Sequence, residues 1–592
     1  MSVLTTILNP YLPAALMAPG AVGTEAGENK EPGGSEELKI CASLLKKALG
    51  DALLSYEFDG PRRACARISP GSHVKALEAL RKRFPDLRLS GLTGMDLGDE
   101  LVLYYHFRIE RSVLTLRMPV QKAEPIVDSI TPLLPGADLH EREVFDMLGV
   151  VFRGHPDLRR LLLPEDAPEG FHPLRKEVEA RKLRPVETEP VLKPIPTEEK
   201  GPIITLVIGP QHPALHEPER FVFKVDGEVV VGLDIRIGYA HRGIEEAAER
   251  RTYLKDVYLC ERVCGICNVA HSLCFCSAIE RLLDLEVPKR ADYLRVIAAE
   301  LNRLHSHMLI LGVAAEEMGF STLFMYIWRD REIVMDLMEL LTGNRVMSSF
   351  NRIGGVSRDI SSSLAEKMRA RLPELKKRIE HYIEVFETDP TILARTSQVG
   401  FLSRQDAIEL CAVGPTLRAS GICFDVREDD PYAAYEELSA FRPVVRKECD
   451  NWARYMARLQ ECLVSIEIID EALSSLPSGP VRVRAPRRVK PGETVFTVEA
   501  PRGELLYFVR SNGTDKPERV KIRTPTISNL APVRKMLEGV FVADIPVTLA
   551  SIDPCFSCTD RALFIDIRTG ERWSCFLDEL GRRKKWGSCQ RS

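Results

Sequence analysis

Residues 262–271 read Arg-Val-Cys-Gly-Ile-Cys-Asn-Val-Ala-His, and residues 553–558 read Asp-Pro-Cys-Phe-Ser-Cys. Two intervening residues let both thiolates of a Cys-x-x-Cys pair reach one metal centre. Four thiolates select soft or borderline ions: zinc, nickel, Cu(I) or the iron of an iron–sulfur cluster. Small zinc folds space their pairs by about 15–20 residues, because the ion itself holds the fold together. Here 288 positions separate Cys267 from Cys555. The intervening fold must therefore bring the pairs together, which suits a buried reactive metal better than a structural clip. On spacing alone, zinc, a thiol–disulfide pair and plain buried thiols all stay open.

Between the pairs the pattern is helical. Pro288 stands at a favourable first helical position. Leu294, Ile297, Leu301, Leu304, Met308 and Leu311 then recur at steps of three and four, one apolar stripe on one face. Leu364, Met368, Leu372, Leu375, Ile379, Ile383 and Phe386 predict a second helix, kinked at Pro373. Ser321–Leu341 and Val444–Leu473 predict two more, and helices of this length pack as a bundle. Residues 203–234 and 481–498 read as strands that turn at Asp226-Gly227 and Pro491-Gly492. Upstream, Leu101–Arg108 and Ser112–Arg117 read as strands. Ser72–Arg83 reads as a helix capped by Ser72, and Glu141–Leu148 as a short amphipathic helix.

The predicted fold class is α+β: an α/β domain over residues 38–183, then a mainly helical bundle domain with flanking β-structure over residues 201–561. Residues 1–37, rich in Gly, Glu and Pro from Gly20 onward, read as a disordered lead-in. Residues 184–200 carry four prolines and alternating charge and read as an extended linker. Residues 562–592 form a C-terminal extension.

Of 592 residues, 81 are Lys or Arg and 85 are Asp or Glu, a net charge of −4 that gives no electrostatic reason to expect nucleic acid. With 45% apolar and 28% charged residues, collagen-like, disordered and disulfide-scaffold classes are excluded. No run approaches the ~18–20 apolar residues of a membrane span. The first 18 residues lack a basic start and carry two prolines, so no signal peptide is predicted. Fifteen cysteines without an export signal point to a reducing compartment, where they serve as ligands or buried thiols.

The residues around the two pairs carry a resemblance. Arg262–Cys267 with His271 four residues on, and Asp553–Cys558, resemble the two signature motifs of nickel–iron hydrogenase large subunits. Gly209-Pro210-Gln211-His212-Pro213-Ala214, His241-Arg242-Gly243-Ile244-Glu245, Arg352-Ile353-Gly354-Gly355-Val356 and Pro431-Tyr432 resemble the 49-kDa subunit of respiratory complex I. Glu141–Met147, Gly154–Arg160 and His172–Lys176 are similar to its 30-kDa subunit. A fused 30-kDa and 49-kDa chain that keeps all four cysteines resembles the large subunit of formate hydrogenlyase and related membrane-bound, complex-I-like hydrogenases. The resemblance spans roughly residues 40–592.

The resemblance implies that Cys264 and Cys555 are terminal nickel ligands. Cys267 and Cys558 would bridge nickel to an iron that carries cyanide and carbon monoxide. It implies that Glu217 relays protons, a task suited to a buried carboxyl of raised pKa. Arg502 would lie over the iron and its diatomic ligands, paired with Asp553. Pro525 and Thr526 would bind a cyanide, and His271 would stand near the cysteine sulfurs. Without the resemblance, Glu217 reads as an exposed turn residue before Pro218 and Arg502 as a surface turn residue. Glu245 matches a position that holds a structural magnesium or iron ion in many hydrogenases, but the C-terminal His that completes that site is Arg561 here. Cys260, Cys274, Cys276, Cys411, Cys423, Cys449 and Cys462 read as buried thiols, so no iron–sulfur cluster is assigned to this chain.

The implied activity is interconversion of H2 with protons and electrons, in the direction of H2 evolution, at the inner face of the cell membrane. The chain would be cytoplasmic and peripheral, held there through its partners. Those partners are an iron–sulfur small subunit, a ferredoxin-like electron-transfer subunit, complex-I-like membrane subunits and a donor such as formate dehydrogenase. Nickel chaperones and a maturation protease that cuts after Arg561 complete the set; no nucleic acid is implied. The alternative is a complex-I-type NADH:quinone oxidoreductase subunit that binds quinone without nickel. Such subunits carry an Asp-Arg-Leu-Asp-Tyr-like segment where this chain has Cys260-Glu261-Arg262-Val263-Cys264-Gly265, and a Gly where it has Glu217. A zinc-clamped assembly scaffold is a third reading.

Overall fold

The computed structural model describes residues 34–163, 167, 170–178, 203–210 and 217–556, and the backbone of 564–565 and 572–573. The expected lead-in up to residue 33, the linker over 184–200, Cys558, Arg561 and most of the C-terminal extension lie outside the described residues.

The N-terminal domain opens with α1 (Glu36–Leu49), which takes in two residues of the expected lead-in and buries Leu38, Cys41, Leu45 and Leu49 on one face. Strands β1 (Leu53–Phe58) and β2 (Arg63–Ile68), helix α2 (His73–Arg83), and strands β3 (Arg88–Asp96), β4 (Glu100–Ile109) and β5 (Ser112–Gln121) follow. They build a sheet in the order β1-β2-β5-β4-β3, with only the β2/β5 pair parallel. Ser72 precedes α2 in helical geometry, and its side chain makes no capping hydrogen bond, contrary to expectation. β6 (Ile126–Asp128), α3 (Asp138–Leu148) and β7 (Val151–Arg153) close the domain. The anticipated amphipathic helix at α3 is buried on nearly every side, because it is pressed between its own sheet and the second domain.

The second domain starts with an antiparallel sheet of β8 (Ile203–Ile208), β9 (Arg220–Asp226) and β10 (Val229–Arg236), turning at Gly227 as predicted. Helices α4 (Ile244–Glu249), α5 (Tyr253–Glu261), α6 (Asn268–Leu283), α7 (Lys289–Glu317) and α8 (Ser321–Thr342) come next. Pro288 is the residue before α7 and not its first turn. The hairpin β11 (Asn351–Arg352) and β12 (Gly355–Val356) precedes α9 (Ser362–Arg369) and α10 (Leu372–Thr388). These are two helices where the sequence predicts one kinked helix. Pro373 starts the second of them, where its missing N–H costs nothing.

Four short helices, α11 (Pro390–Thr396), α12 (Arg404–Glu409), α13 (Gly414–Arg418) and α14 (Val426–Asp429), lead to α15 (Asn451–Ser474). The predicted helix from Val444 begins only after Asp450, whose carboxylate accepts the Ala453 N–H (2.9 Å). The antiparallel sheet β13 (Gly492–Ala500), β14 (Gly503–Ser511) and β15 (Pro517–Arg523) follows, then α16 (Pro525–Leu537) and α17 (Ile545–Ser551). Residues 481–491, expected to be strand, form no strand before Gly492 and make a single β-bridge, at Arg482.

α7 is the axis of the bundle, packed against α6, α8, α15 and α17. Its predicted stripe is buried, but so are Arg295, Glu300, Asn302, Arg303, His305, Ser306 and His307. Among the described residues, no helix is long and apolar enough to cross a membrane.

Candidate metal centre

The first cysteine pair sits in the turn between α5 and α6, with Cys267 immediately before the first residue of α6. Cys555 follows α17, after a backbone turn in which Asp553 takes a positive φ of 54°. The Sγ atoms of Cys264 and Cys555 stand 3.1 Å apart, and both residues are buried in one cluster with Cys267. The first turn is braced from several elements. Asn302 Nδ2 donates to Ile266 O (2.6 Å), Asn268 Nδ2 to Gly265 O (3.0 Å), and Arg242 to Arg262 O (2.8 Å) and Val263 O (2.7 Å). The N–H groups of Cys267 (3.3 Å) and Ile266 (3.4 Å) point at Cys264 Sγ. Cys558 lies outside the described residues. Among those described, no three ligating side chains are arranged as a complete shell around an ion.

Over the sulfurs lies Arg502, at the β13–β14 turn. The turn can be this tight because Gly503 adopts φ +131° and its Cα faces the Gly414 backbone. Arg502 is 2% exposed; its Nε donates to Asp553 O (2.6 Å), its Nη2 to Asp553 Oδ1 (2.8 Å) and its Nη1 to Ser306 Oγ (3.3 Å). Burial opposes its charge, yet Asp553 and the three sulfurs hold its pKa above the ordinary arginine value. Asp553 is pushed up by burial against the pull of Arg502 and Arg458.

Thr526 stands in the first turn of α16, where Oγ1 accepts the Cys555 N–H (3.2 Å), and Pro525 beside it is buried. His271 lies one turn into α6, buried, with Nδ1 2.8 Å from Tyr507 Oη. Glu217 is half-buried at the entrance to β9, next to a stretch outside the described residues. Glu245 does not join the cysteines. Its carboxylate receives Arg519 Nη2 (2.7 Å), Lys521 Nζ (3.3 Å) and the Ile522 N–H (3.0 Å). Two cations and a backbone N–H thus hold this carboxylate.

Four residues near the sulfurs escaped the sequence reading: His305, Ser306, Arg458 and Tyr507. His305 accepts Arg331 Nη2 at Nδ1 (2.7 Å), and burial, with Arg331 and Arg502 nearby, lowers its pKa to about 3. The available signal was the run His305-Ser306-His307, three polar residues in a row between Leu304 and Met308 of the apolar stripe.

The fold and site define a helical-bundle chain that gathers cysteine thiols from distant parts of its sequence under one buried arginine, with an α/β domain docked alongside. Residues 317–491 and 487–561 match the family model described as respiratory-chain NADH dehydrogenase, 49 Kd subunit. Residues 66–183 match the 30 Kd subunit, and residues 242–311 match the nickel-dependent hydrogenase family. The chain is 41% identical to the carbon monoxide-induced hydrogenase of Rhodospirillum rubrum over 60% of its own length and 99% of that protein. It is 35% identical to formate hydrogenlyase subunit 5 of Escherichia coli (81% of this chain, 86% of the relative). It is also 35% identical to the C/D subunit of the NADH-quinone oxidoreductase of Phocaeicola vulgatus (83% and 98%). The chain belongs to the complex-I-like branch of the nickel–iron hydrogenase large-subunit family, with 30-kDa-type and 49-kDa-type parts fused in one polypeptide. The nickel-dependent model spans Cys264 and Cys267, which points to nickel.

Proposed function

We propose that this chain is the catalytic large subunit of a nickel–iron hydrogenase that interconverts H2 with protons and electrons, evolving H2 within a formate-hydrogenlyase-like complex. The observation that carries the reading is the meeting of Cys264 and Cys555, 3.1 Å apart, beneath Arg502. The donor set fits the centre: soft sulfurs, N–H donors aimed at Cys264, and a permanent cation that offsets thiolate charge. Cys264, Cys267, Cys555 and Cys558 would hold the nickel and an iron that carries cyanide and carbon monoxide. When bound, such a centre supplies the heterolytic splitting and formation of H2.

The remaining work falls to protein groups. Arg502, its plane fixed by Asp553 and Ser306, would place its positive charge beside the diatomic ligands. Thr526 holds the Cys555 backbone and, with Pro525, lies at the first turn of α16, whose backbone N–H groups favour an anion. Glu217 would take up and release the proton. Electrons would arrive from an iron–sulfur small subunit and a ferredoxin-like subunit, and membrane attachment would come through complex-I-like subunits.

Metal analysis and infrared spectroscopy of the purified complex test this. About one nickel and one iron per chain, with cyanide and carbonyl bands, is the expected result. Zinc without those bands would overturn it in favour of a scaffold. A metal-free chain that binds quinone analogues would overturn it in favour of a quinone-reducing subunit, a reading kept alive by the NADH-quinone oxidoreductase relative.

A further inference from the structure

The turn that carries Cys264 and Cys267 is held on one side by Asn268 of α6 and Asn302 of α7, and on its entrance side by Arg242. The guanidinium nitrogens of Arg242 donate to the successive carbonyls of Arg262 (2.8 Å) and Val263 (2.7 Å), immediately before Cys264. A planar fork suits such a pair of acceptors, and a lysine cannot reproduce it. Arg242 belongs to neither helix. It is joined through Gly243, at the N-terminal cap of α4 with a positive φ of 61°, to Glu245 in the first turn of that helix.

Glu245 is the fixed point of this arm. Its carboxylate receives Arg519 Nη2 (2.7 Å), Lys521 Nζ (3.3 Å) and the Ile522 N–H (3.0 Å), all from β15. Each of the two cations has a second hold in the N-terminal domain. Lys521 Nζ bonds to Glu143 of α3, and Arg519 Nε donates to Gly94 O of β3 (3.2 Å). Arg519, Lys521 and Glu143 are all buried, where such bonds are stiff and costly to break. From the N-terminal domain to the residue before Cys264, every step is therefore a hydrogen bond or the short backbone between Arg242 and Glu245.

We propose that Glu245 is a positioning residue, through which the N-terminal domain sets where the first cysteine pair stands opposite Cys555. Lys521 and Arg519 carry the hold across the seam, and Arg242 delivers it to the turn. A site whose ligands come from distant parts of a chain tolerates an error of only about 0.5 Å in their placing, and a turn released at its entrance swings by more. The consequence for a bound metal rests on the hydrogenase reading above; the hold on the turn does not.

The test labels the full chain, purified without metal, with iodoacetamide and reads the rate at each cysteine by mass spectrometry. Cys264 and Cys267 are buried, and so is Cys462 of α15, which serves as the control for global opening. Glu245→Gln keeps the side chain's shape. It leaves Lys521 on Glu143 and Arg519 on Glu249 (3.2 Å), so neither cation is orphaned. Labelling of Cys264 and Cys267 should quicken about tenfold relative to Cys462. Arg242→Lys should act in the same direction, and Glu143→Gln should give a smaller rise. In the metal-loaded complex, Glu245→Gln should also shift the cyanide and carbonyl infrared bands, which a mere loss of stability does not move. Parental labelling of both cysteines in Glu245→Gln, labelling that rises only in step with Cys462, or unshifted bands in a fully loaded variant would overturn the proposal. If Glu245→Gln does not fold, Arg242→Lys and Glu143→Gln leave Glu245 on Arg519 and Ile522, and parental labelling in both is equally fatal. A parent complex with neither nickel nor the bands would fail the hydrogenase reading, and the labelling rates would still decide whether Glu245 holds the turn.

Discussion

At the scale of single residues, the centre is a balance of buried charges. Replacing Cys555 by Ser removes one of the converging sulfurs, so nickel content should fall to near zero; a variant that keeps nickel would refute its assignment as a ligand. Asp553→Asn leaves Arg502 buried beside a neutral amide. Loss of one partner of a buried pair costs about 3–5 kcal/mol, so thermal unfolding should come markedly earlier. Arg502→Lys keeps the charge but loses the planar fork that spans Asp553 and Ser306. Its infrared bands should shift with little change in metal content. The two cysteine pairs were legible from their own spacing, whereas Arg502, which by itself reads as a surface turn residue, and Asp553 were legible only through the resemblance of their motifs. His305, Ser306 and Arg458 were not. A polar residue inside an apolar helix looks the same in sequence whether it faces water or a buried site, and only packing from α8, α15 and α17 decides which.

At the scale of elements, local chemistry fixed what periodicity blurred. The apolar period runs from Leu364 to Phe386 without a break, yet Pro373 starts a new helix, because a helix interior would clash with its ring. At α15 the period says nothing of where the helix starts; Asp450 does. Its carboxylate takes the N–H of Ala453 (2.9 Å) and of Gln398 (2.8 Å), so it caps the helix and ties down the loop before α12. Asp450→Ala should therefore destabilise the chain by more than the about 1 kcal/mol of an ordinary cap, with Asp450→Asn recovering most of it; denaturant unfolding of the two variants measures both. α7 shows the limit of the stripe rule. Its polar positions are paired inside the bundle, Glu300 with Arg303 (3.2 Å) and Arg427 (3.1 Å), and His307 with Glu461 (3.0 Å), so a helix that reads as one-faced is buried nearly all round.

At the scale of the whole molecule, the seam between the domains joins an apolar patch, Met95, Val102 and Tyr104 against Val495, Leu506 and Phe508, to a buried ionic network, and the ionic part was illegible. Arg108, Arg519, Lys521 and Arg523 look like solvated strand residues, and none marked β4 or β15 as buried in the sequence. In the fold, Arg108 of β4 reaches across to Glu504 of β14 (2.5 Å) and to Thr497 (3.2 Å), and Arg523 of β15 binds the same Glu504 and Ser90 O of β3. Lys521 bonds to Glu143 of α3, and Arg519 to Gly94 O (3.2 Å). Burial pushes the Glu504 pKa up, but Arg108 and Arg523 outweigh it and bring it to about 2, from an ordinary 4.5. Above about pH 4.5, Glu504 is ionised whether the seam is formed or not, and its contribution is complete. Between 4.5 and 2 the separated form takes up a proton that the docked form refuses. That contribution is therefore lost as pH falls through this window, on the order of 3 kcal/mol in all. Glu504→Gln removes the carboxylate from between two buried guanidiniums. At pH 7 it should loosen the seam, seen as faster proteolysis between the domains, and it should flatten the acid dependence between pH 4.5 and 2. An acid profile in Glu504→Gln that overlays the parent would mean that other carboxylates hold the domains together.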